Sequence, residues 1–219
     1  MMTIAMDGPA GAGKSTAAKL AAQELGIHYV DTGAMYRAIA YGILKAAPAE
    51  EVLDDLARGM DVRVEYIDNE QHVYVDGEDV MGVIRTPEVS AAASRYAALP
   101  VVREKLLGVQ RTIAEEYDVV MDGRDIGTVV LPHAETKIFI TADPAERARR
   151  RALELEMRTG EKQDVDAIER EIRERDYRDS HREIAPLKQA DDAVLLDTTH
   201  MSIEEVVAEV CRLAREHHA

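Results

Sequence analysis

Residues 8–16 read Gly-Pro-Ala-Gly-Ala-Gly-Lys-Ser-Thr and follow directly on the apolar run 2–6. They fit G-x-x-x-x-G-K-[ST] with Gly8, Gly13, Lys14 and Ser15, and they open a helical pattern carried by Ala17, Ala18, Leu20, Ala21 and Ala22. A strand, a glycine loop and a helix in this order constrain the fold strongly. The loop turns successive backbone N–H groups toward one point, and the helix beginning at Lys14 aims its positive dipole end there. This is an anion cradle. Lys14 is expected to reach terminal phosphates as a point charge, and the Ser15 hydroxyl to ligate a bridging Mg²⁺.

The remaining pattern alternates strands and helices, which predicts an α/β fold: a P-loop domain with a doubly wound parallel sheet. Gly26 ends the first helix, and residues 27–30 form a second strand. After it, Asp31-Thr32-Gly33-Ala34-Met35-Tyr36-Arg37 enters a helix, so Thr32 and Arg37 are expected on the same strand-end rim as the loop. Spacing alone leaves Arg37 open to being an ordinary surface arginine. From Asp61 the period changes to two: Val62, Val64 and Tyr66 alternate with charged residues, Asp68-Asn69-Glu70 turns the chain, and Asp76-Gly77 turns it again. This predicts a small antiparallel insertion that shapes a pocket or serves structure alone.

Two helices follow, one bearing Ser94 and one bearing Arg103 in its first turn, where a cation opposes the dipole. An apolar strand then runs into Asp122-Gly123-Arg124-Asp125, which places Asp122 as the acidic partner of Mg²⁺. Asp143 and Pro144 predict the start of a long helix broken at Gly160, and a second helix runs over residues 165–181. The pair reads as a helical lid over residues 145–185, on which Arg175, Asp179 and Arg182 share one face at i, i+4 and i+7. Ser202 and Glu205 predict a capping box on the last helix. We read residues 1–219 as one domain, with residues 60–100 and 145–185 as its two appendages.

Composition excludes several functions. A net charge of −15 disfavours a nucleic-acid surface, so no nucleic-acid partner is expected. No apolar run is long enough for a membrane span, no secretory signal is visible, and the single cysteine, Cys211, rules out an internal disulfide. A cytoplasmic monomer is expected. No nucleophile–base arrangement or His/Cys metal cluster is present, whereas phosphoryl transfer needs neither. An acceptor that is itself a phosphomonoester needs no base, because its second pKa of about 6 leaves it mostly dianionic. Arg37, Arg124, Arg175 and Arg182 would offset the repulsion between two polyanions. These residues point to a small kinase with ATP on residues Gly8, Pro9, Ala10, Gly11, Ala12, Gly13, Lys14, Ser15 and Thr16 and a phosphorylated acceptor.

Over nearly its whole length the chain resembles the bacterial cytidylate kinases. The likeness is carried by residues 31–37, by Gly82-Val83-Ile84-Arg85-Thr86 with residues 91–94, by residues 122–130 and by Glu174-Arg175-Asp176-Tyr177-Arg178-Asp179. It implies ATP as donor and CMP or dCMP as acceptor. By motif, Arg37, Arg124 and Arg182 would hold the acceptor phosphate, and Ser94, Arg103 and Asp125 would meet the base. Arg175 and Asp179 would lie near the ribose with Thr32, where the family often has serine. The chemistry suits cytosine: Asp125 can accept from the N4 amino group and Arg103 can donate to N3 and O2. A uridylate or adenylate kinase, and a nucleotide-switch regulator, stand as alternatives.

Overall fold

The computed structural model describes residues 1–218 and divides into two compact units. One comprises His28–Val119; the other comprises Met2–Ile27 together with the chain from Val120 onward.

In the second unit, strands β1 (Thr3–Asp7), β6 (Val119–Gly123), β7 (Thr136–Thr141) and β8 (Val194–Asp197) line up in the order β6-β1-β7-β8. The pairs β1–β7 and β7–β8 are parallel, with Ile4 opposite Thr136 and Ile138 opposite Val194. β1 therefore has neighbours far from it in sequence on both sides. That is a topological switch point, and a ligand crevice is expected beyond the carboxyl ends of strands at such a place. The strand residues Ile4, Met6, Met121, Ile138 and Ile140 are fully buried, as a sheet covered by crossover helices requires. Helix α1 (Lys14–Leu25) leaves the glycine loop and stops at Gly26, whose φ of 70° provides a left-handed cap. The last helix, α8 (Ile203–His217), carries the expected capping box of Ser202 and Glu205. It packs on α1, with Cys211 fully buried near the Ala21 carbonyl.

Helices α6 (Pro144–Thr159) and α7 (Val165–His181) form the helical hairpin. Asp143 caps α6 with Pro144 in its first turn, Gly160 ends it at φ 74°, and Asp164 caps α7. Ala148 and Ala152 bury against Ile168 and Ile172, so the small residues of one helix admit the branched residues of the other.

The first unit contains β2 (His28–Asp31), α2 (Thr32–Ala46), α3 (Leu53–Gly59), α4 (Pro87–Tyr96) and α5 (Pro100–Glu116). Its separate sheet joins β3 (Val62–Ile67), β4 (Glu70–Val75) and the short β5 (Glu78–Asp79), all antiparallel. Turn residues Asp68, Asn69 and Asp76 take positive φ, as the sequence around them predicts. The antiparallel insertion does not stand alone, since α2 packs on β4 and α5 on β3. The α/β class, the parallel sheet and the small antiparallel sheet agree with the sequence reading.

Candidate active site

The phosphate loop is shaped by close approach. Gly8 has φ 146°, and a Cβ there would lie 1.9 Å from the Ile140 carbonyl oxygen, so no side chain fits. Gly13 takes φ 83° immediately before α1, turning the loop so that the helix N-terminus faces its concave side. Lys14 is buried and donates from Nζ to the Pro9 carbonyl at 2.8 Å, folding back across the loop it belongs to. Burial, reinforced by the nearby Arg124 and Arg175 guanidiniums, pushes its ammonium down to about 7 against the pull of Asp122 and Asp7. Ser15 donates from its hydroxyl to Asp122 Oδ2 at 2.7 Å. The residue at the end of β6 and the residue after the loop lysine are thus in direct contact, 107 positions apart in sequence.

The segment after β6 was expected only as Asp122-Gly123-Arg124-Asp125 leading onward. The structure adds a π-helical turn over Ile126–Val130, with Val130 and Leu131 donating five residues back to the Asp125 and Ile126 carbonyls at 3.2 and 2.7 Å. Such turns concentrate at functional sites because they reset the direction of neighbouring side chains. The turn is held by Asp7, the last residue of β1, which the sequence alone does not mark as a site residue. Its buried carboxylate accepts from Ile126 N at 2.8 Å and Gly127 N at 2.7 Å. Burial raises the Asp7 carboxyl to about 6, although those two N–H groups oppose the shift.

Around this core the second unit collects ion pairs. Arg124 Nε donates to Asp179 Oδ2 at 3.0 Å, and Arg175 Nε lies 3.9 Å from the same oxygen. Arg182 departs from expectation: α7 ends at His181, and Arg182 is its cap with extended backbone, φ −65° and ψ 144°. It therefore does not continue the helical face of Arg175 and Asp179. Instead Nε donates to the Ala185 carbonyl at 2.6 Å and Nη2 reaches Asp125 Oδ1 at 3.4 Å. The helix ends at residue 181 as expected, but Arg182, counted at i+7 on its face, lies one residue beyond, where the Leu187 amide turns back to the Asp179 carbonyl at 2.7 Å.

The first unit carries the other candidate residues. Thr32 is buried at the start of α2, and Asp31 caps that helix by accepting from Ala34 N at 2.8 Å. Its other oxygen accepts from Arg37 at 2.9 Å and Arg85 at 3.1 Å, so two guanidiniums share one carboxylate. Gln71 of β4 fixes Asp31 further: its amide oxygen accepts from Asp31 N at 2.7 Å and its nitrogen donates to Asp31 O at 3.2 Å. Ser94 is half-buried on α4. Arg103, despite its unfavourable place in the first turn of α5, is buried, donates to the Ala97 carbonyl at 3.3 Å and lies 5.8 Å from the Tyr36 ring centroid.

Asp31, Gln71 and Arg85 were not singled out as site residues in the sequence. The Gln71 contact could not have been found there, because it depends on pairing β4 in register. Arg147 and Asp176 were also missed, submerged in an arginine-rich stretch that reads as solvated helix surface.

Comparisons with known proteins identify the family of the chain. The family described as cytidylate kinase matches residues 4–216. A cytidylate kinase of Lactobacillus gasseri is 49% identical over 219 residues, covering 99% of this chain and 95% of its own, and one of Desulfitobacterium hafniense is 51% identical over 215 residues, covering 97% and 92%. Among solved structures, an uncharacterized protein from Eubacterium ventriosum superposes with a TM-score of 0.52 at 14% identity over 98% of both chains, a likeness of fold alone. By the extent of the family match and of these identities, the chain belongs to the cytidylate kinase family.

Proposed function

We propose that this kinase transfers the γ-phosphoryl group of ATP to CMP, and also to dCMP, giving CDP or dCDP and ADP in pyrimidine nucleotide metabolism. The reading is carried by the family match over residues 4–216. It is supported by the phosphate loop whose Ser15 meets Asp122. In the reaction an oxygen of the CMP phosphate attacks Pγ while the bond from Pγ to the β,γ-bridging oxygen breaks, leaving its electron pair on ADP. No proton need be removed from a dianionic acceptor. The loop N–H groups and Lys14 stabilise the charge that spreads over the transferring group. Phosphate oxygens beside Lys14 supply the anionic partner that favours its charged form.

Ser15 and Asp122 offer a hydroxyl and one carboxylate, the hard oxygen donors that suit Mg²⁺ when it takes its remaining ligands from phosphates and water. Ser15 and Asp122 would hold Mg²⁺, whose positive charge would offset the negative charge that develops on the transferring group. On the acceptor side, we assign Arg37, Arg124 and Arg182 to the CMP phosphate, Arg175, Asp179 and Thr32 to the ribose region, and Ser94, Arg103 and Asp125 to the base. Cytosine presents a donor at N4 to Asp125 and acceptors at N3 and O2 to Arg103. Uracil would place a carbonyl against the carboxylate. The chain is proposed to act as a monomer in the cytoplasm.

A coupled assay of ADP formation with CMP, dCMP, UMP and AMP tests the reading. CMP and dCMP are expected to be the best acceptors. A preference for UMP or AMP would move the protein to another monophosphate kinase activity, and ATP hydrolysis independent of every acceptor would favour a nucleotide switch.

A further inference from the structure

The first half of the phosphate loop is gripped from outside by the helical hairpin. Arg147 on α6 is buried, and its guanidinium donates from Nε to the Ala142 carbonyl at 2.9 Å. From Nη1 it donates to the Ala10 carbonyl at 2.9 Å and to Asp176 Oδ2 at 2.6 Å. Asp176, on α7, accepts through its other oxygen from the Ala10 N–H at 3.4 Å. Both backbone polar groups of Ala10 therefore end on one arginine–carboxylate pair. Pro9 has no N–H, and its carbonyl is taken by Lys14. Gly11 packs against both helices of the hairpin: a Cβ there would be 3.4 Å from Arg147 Cβ on α6 and 3.6 Å from Ile172 Cδ1 on α7.

We propose that Asp176 and Arg147 are positioning residues for phosphoryl transfer, holding Ala10 so that the shape of the phosphate loop depends on the docking of α7. This rests on the assignment of residues 8–16 to ATP. The loop amides that follow Ala10 have their starting point and direction fixed by where Ala10 is held. The helix that holds it also carries Arg175 and Asp179, and Asp179 lies three residues beyond Asp176 on the same face. Through one helical turn the acceptor residue that pairs with Arg124 is tied to the donor loop. A pair serving stability alone could sit anywhere between α6 and α7. This one takes both the N–H and the carbonyl of one loop residue, Ala10.

The pair is tested by steady-state kinetics of the full chain with Asp176→Asn and Arg147→Lys. Asn keeps the shape and one acceptor oxygen but removes the charge; Lys keeps a buried cation but cannot reach Ala142, Ala10 and Asp176 together. For each, kcat/KM for ATP at saturating CMP is expected to fall about tenfold or more, while KM for CMP stays within about threefold of the unaltered protein. The double variant is expected to match the weaker single variant within about threefold, because either change breaks the same grip. A value of kcat/KM for ATP within about twofold in a folded variant, whatever its Tm, would overturn the proposal and leave a structural ion pair. Failure of the unaltered protein to form ADP in response to CMP would instead overturn the assignment of the acceptor.

Discussion

The two units of the molecule handle charge in opposite ways. In the unit that holds the phosphate loop, a cation is kept where it is least comfortable: Lys14 is buried, near two arginines, and its ammonium is pushed down to about 7. In the unit spanning His28–Val119, the phosphate-binding candidate Arg37 rests on Asp31, which also receives Arg85 and is itself pinned by Gln71. Every residue assigned to ATP lies in the unit that holds the phosphate loop, together with Arg124, Asp125, Arg175, Asp179 and Arg182, whereas the acceptor candidates Thr32, Arg37, Ser94 and Arg103 lie in the unit spanning His28–Val119. The difference teaches how each unit holds its cation. The loop keeps a buried cation at an electrostatic cost that an anionic ligand would offset, while Arg37 is pre-set by a carboxylate within its own unit.

The sharpest way to break this contrast is Lys14→Met. Removing the loop cation should lower kcat by roughly a thousandfold or more, yet the protein without nucleotide should become more stable. The sign follows from the lowered pKa: folding disfavours the charged amine, a cost absent above the unfolded pKa near 10, growing as pH falls and complete below about 7. Thermal unfolding at neutral pH is expected to show a higher Tm for the variant; a lower Tm would show that Lys14 is a stabilising cation after all.

Asp125→Asn sharpens the acceptor half. The preference for CMP over UMP in kcat/KM should fall by about tenfold or more, because an amide can present either a donor or an acceptor to the base. Unchanged discrimination would remove Asp125 from base recognition.

Asp7 offers a pH test of the unit that holds the phosphate loop. Its carboxyl is raised to about 6, so the stability it contributes when protonated is full below about pH 4 and is lost as pH rises through 6. Denaturant unfolding of the unaltered protein, measured against Asp7→Asn, should therefore lose about 3 kcal/mol of relative stability between pH 4 and pH 7. A flat difference would mean that Asp7 is ionised at little cost. The smallest effect is expected at Cys211, whose burial pushes its thiol up to about 11. At pH 8 only about one part in a thousand is thiolate, so alkylation of the native chain should be negligible and Cys211→Ala should leave kcat unchanged. Rapid labelling would show that α8 opens readily.

The donor half was legible in the sequence because it is contiguous: nine residues running from the end of a strand into the first turn of a helix state their own geometry. Helix ends were legible where a cap announces them, as at Gly26, Asp143, Gly160 and Ser202. The end of α7 at residue 181 was legible too; what failed was counting Arg182 on its face, because Arg182 is the cap one residue beyond that end. The acceptor half is dispersed. Arg37 and Arg103 could be proposed from odd placement or family likeness, but Gln71 on Asp31, Asp7 under the π-helical turn, and Arg147 with Asp176 on Ala10 are contacts across 40 to 166 positions of sequence. No local periodicity encodes such pairs.

The division of labour is tested most directly by two-substrate kinetics of Arg37→Ala, with the ATP dissociation constant measured separately. The account predicts that kcat/KM for CMP falls by about a hundredfold while ATP affinity stays within about threefold of the unaltered protein. An equal loss of ATP affinity would contradict it, because Arg37 would then serve the donor as well.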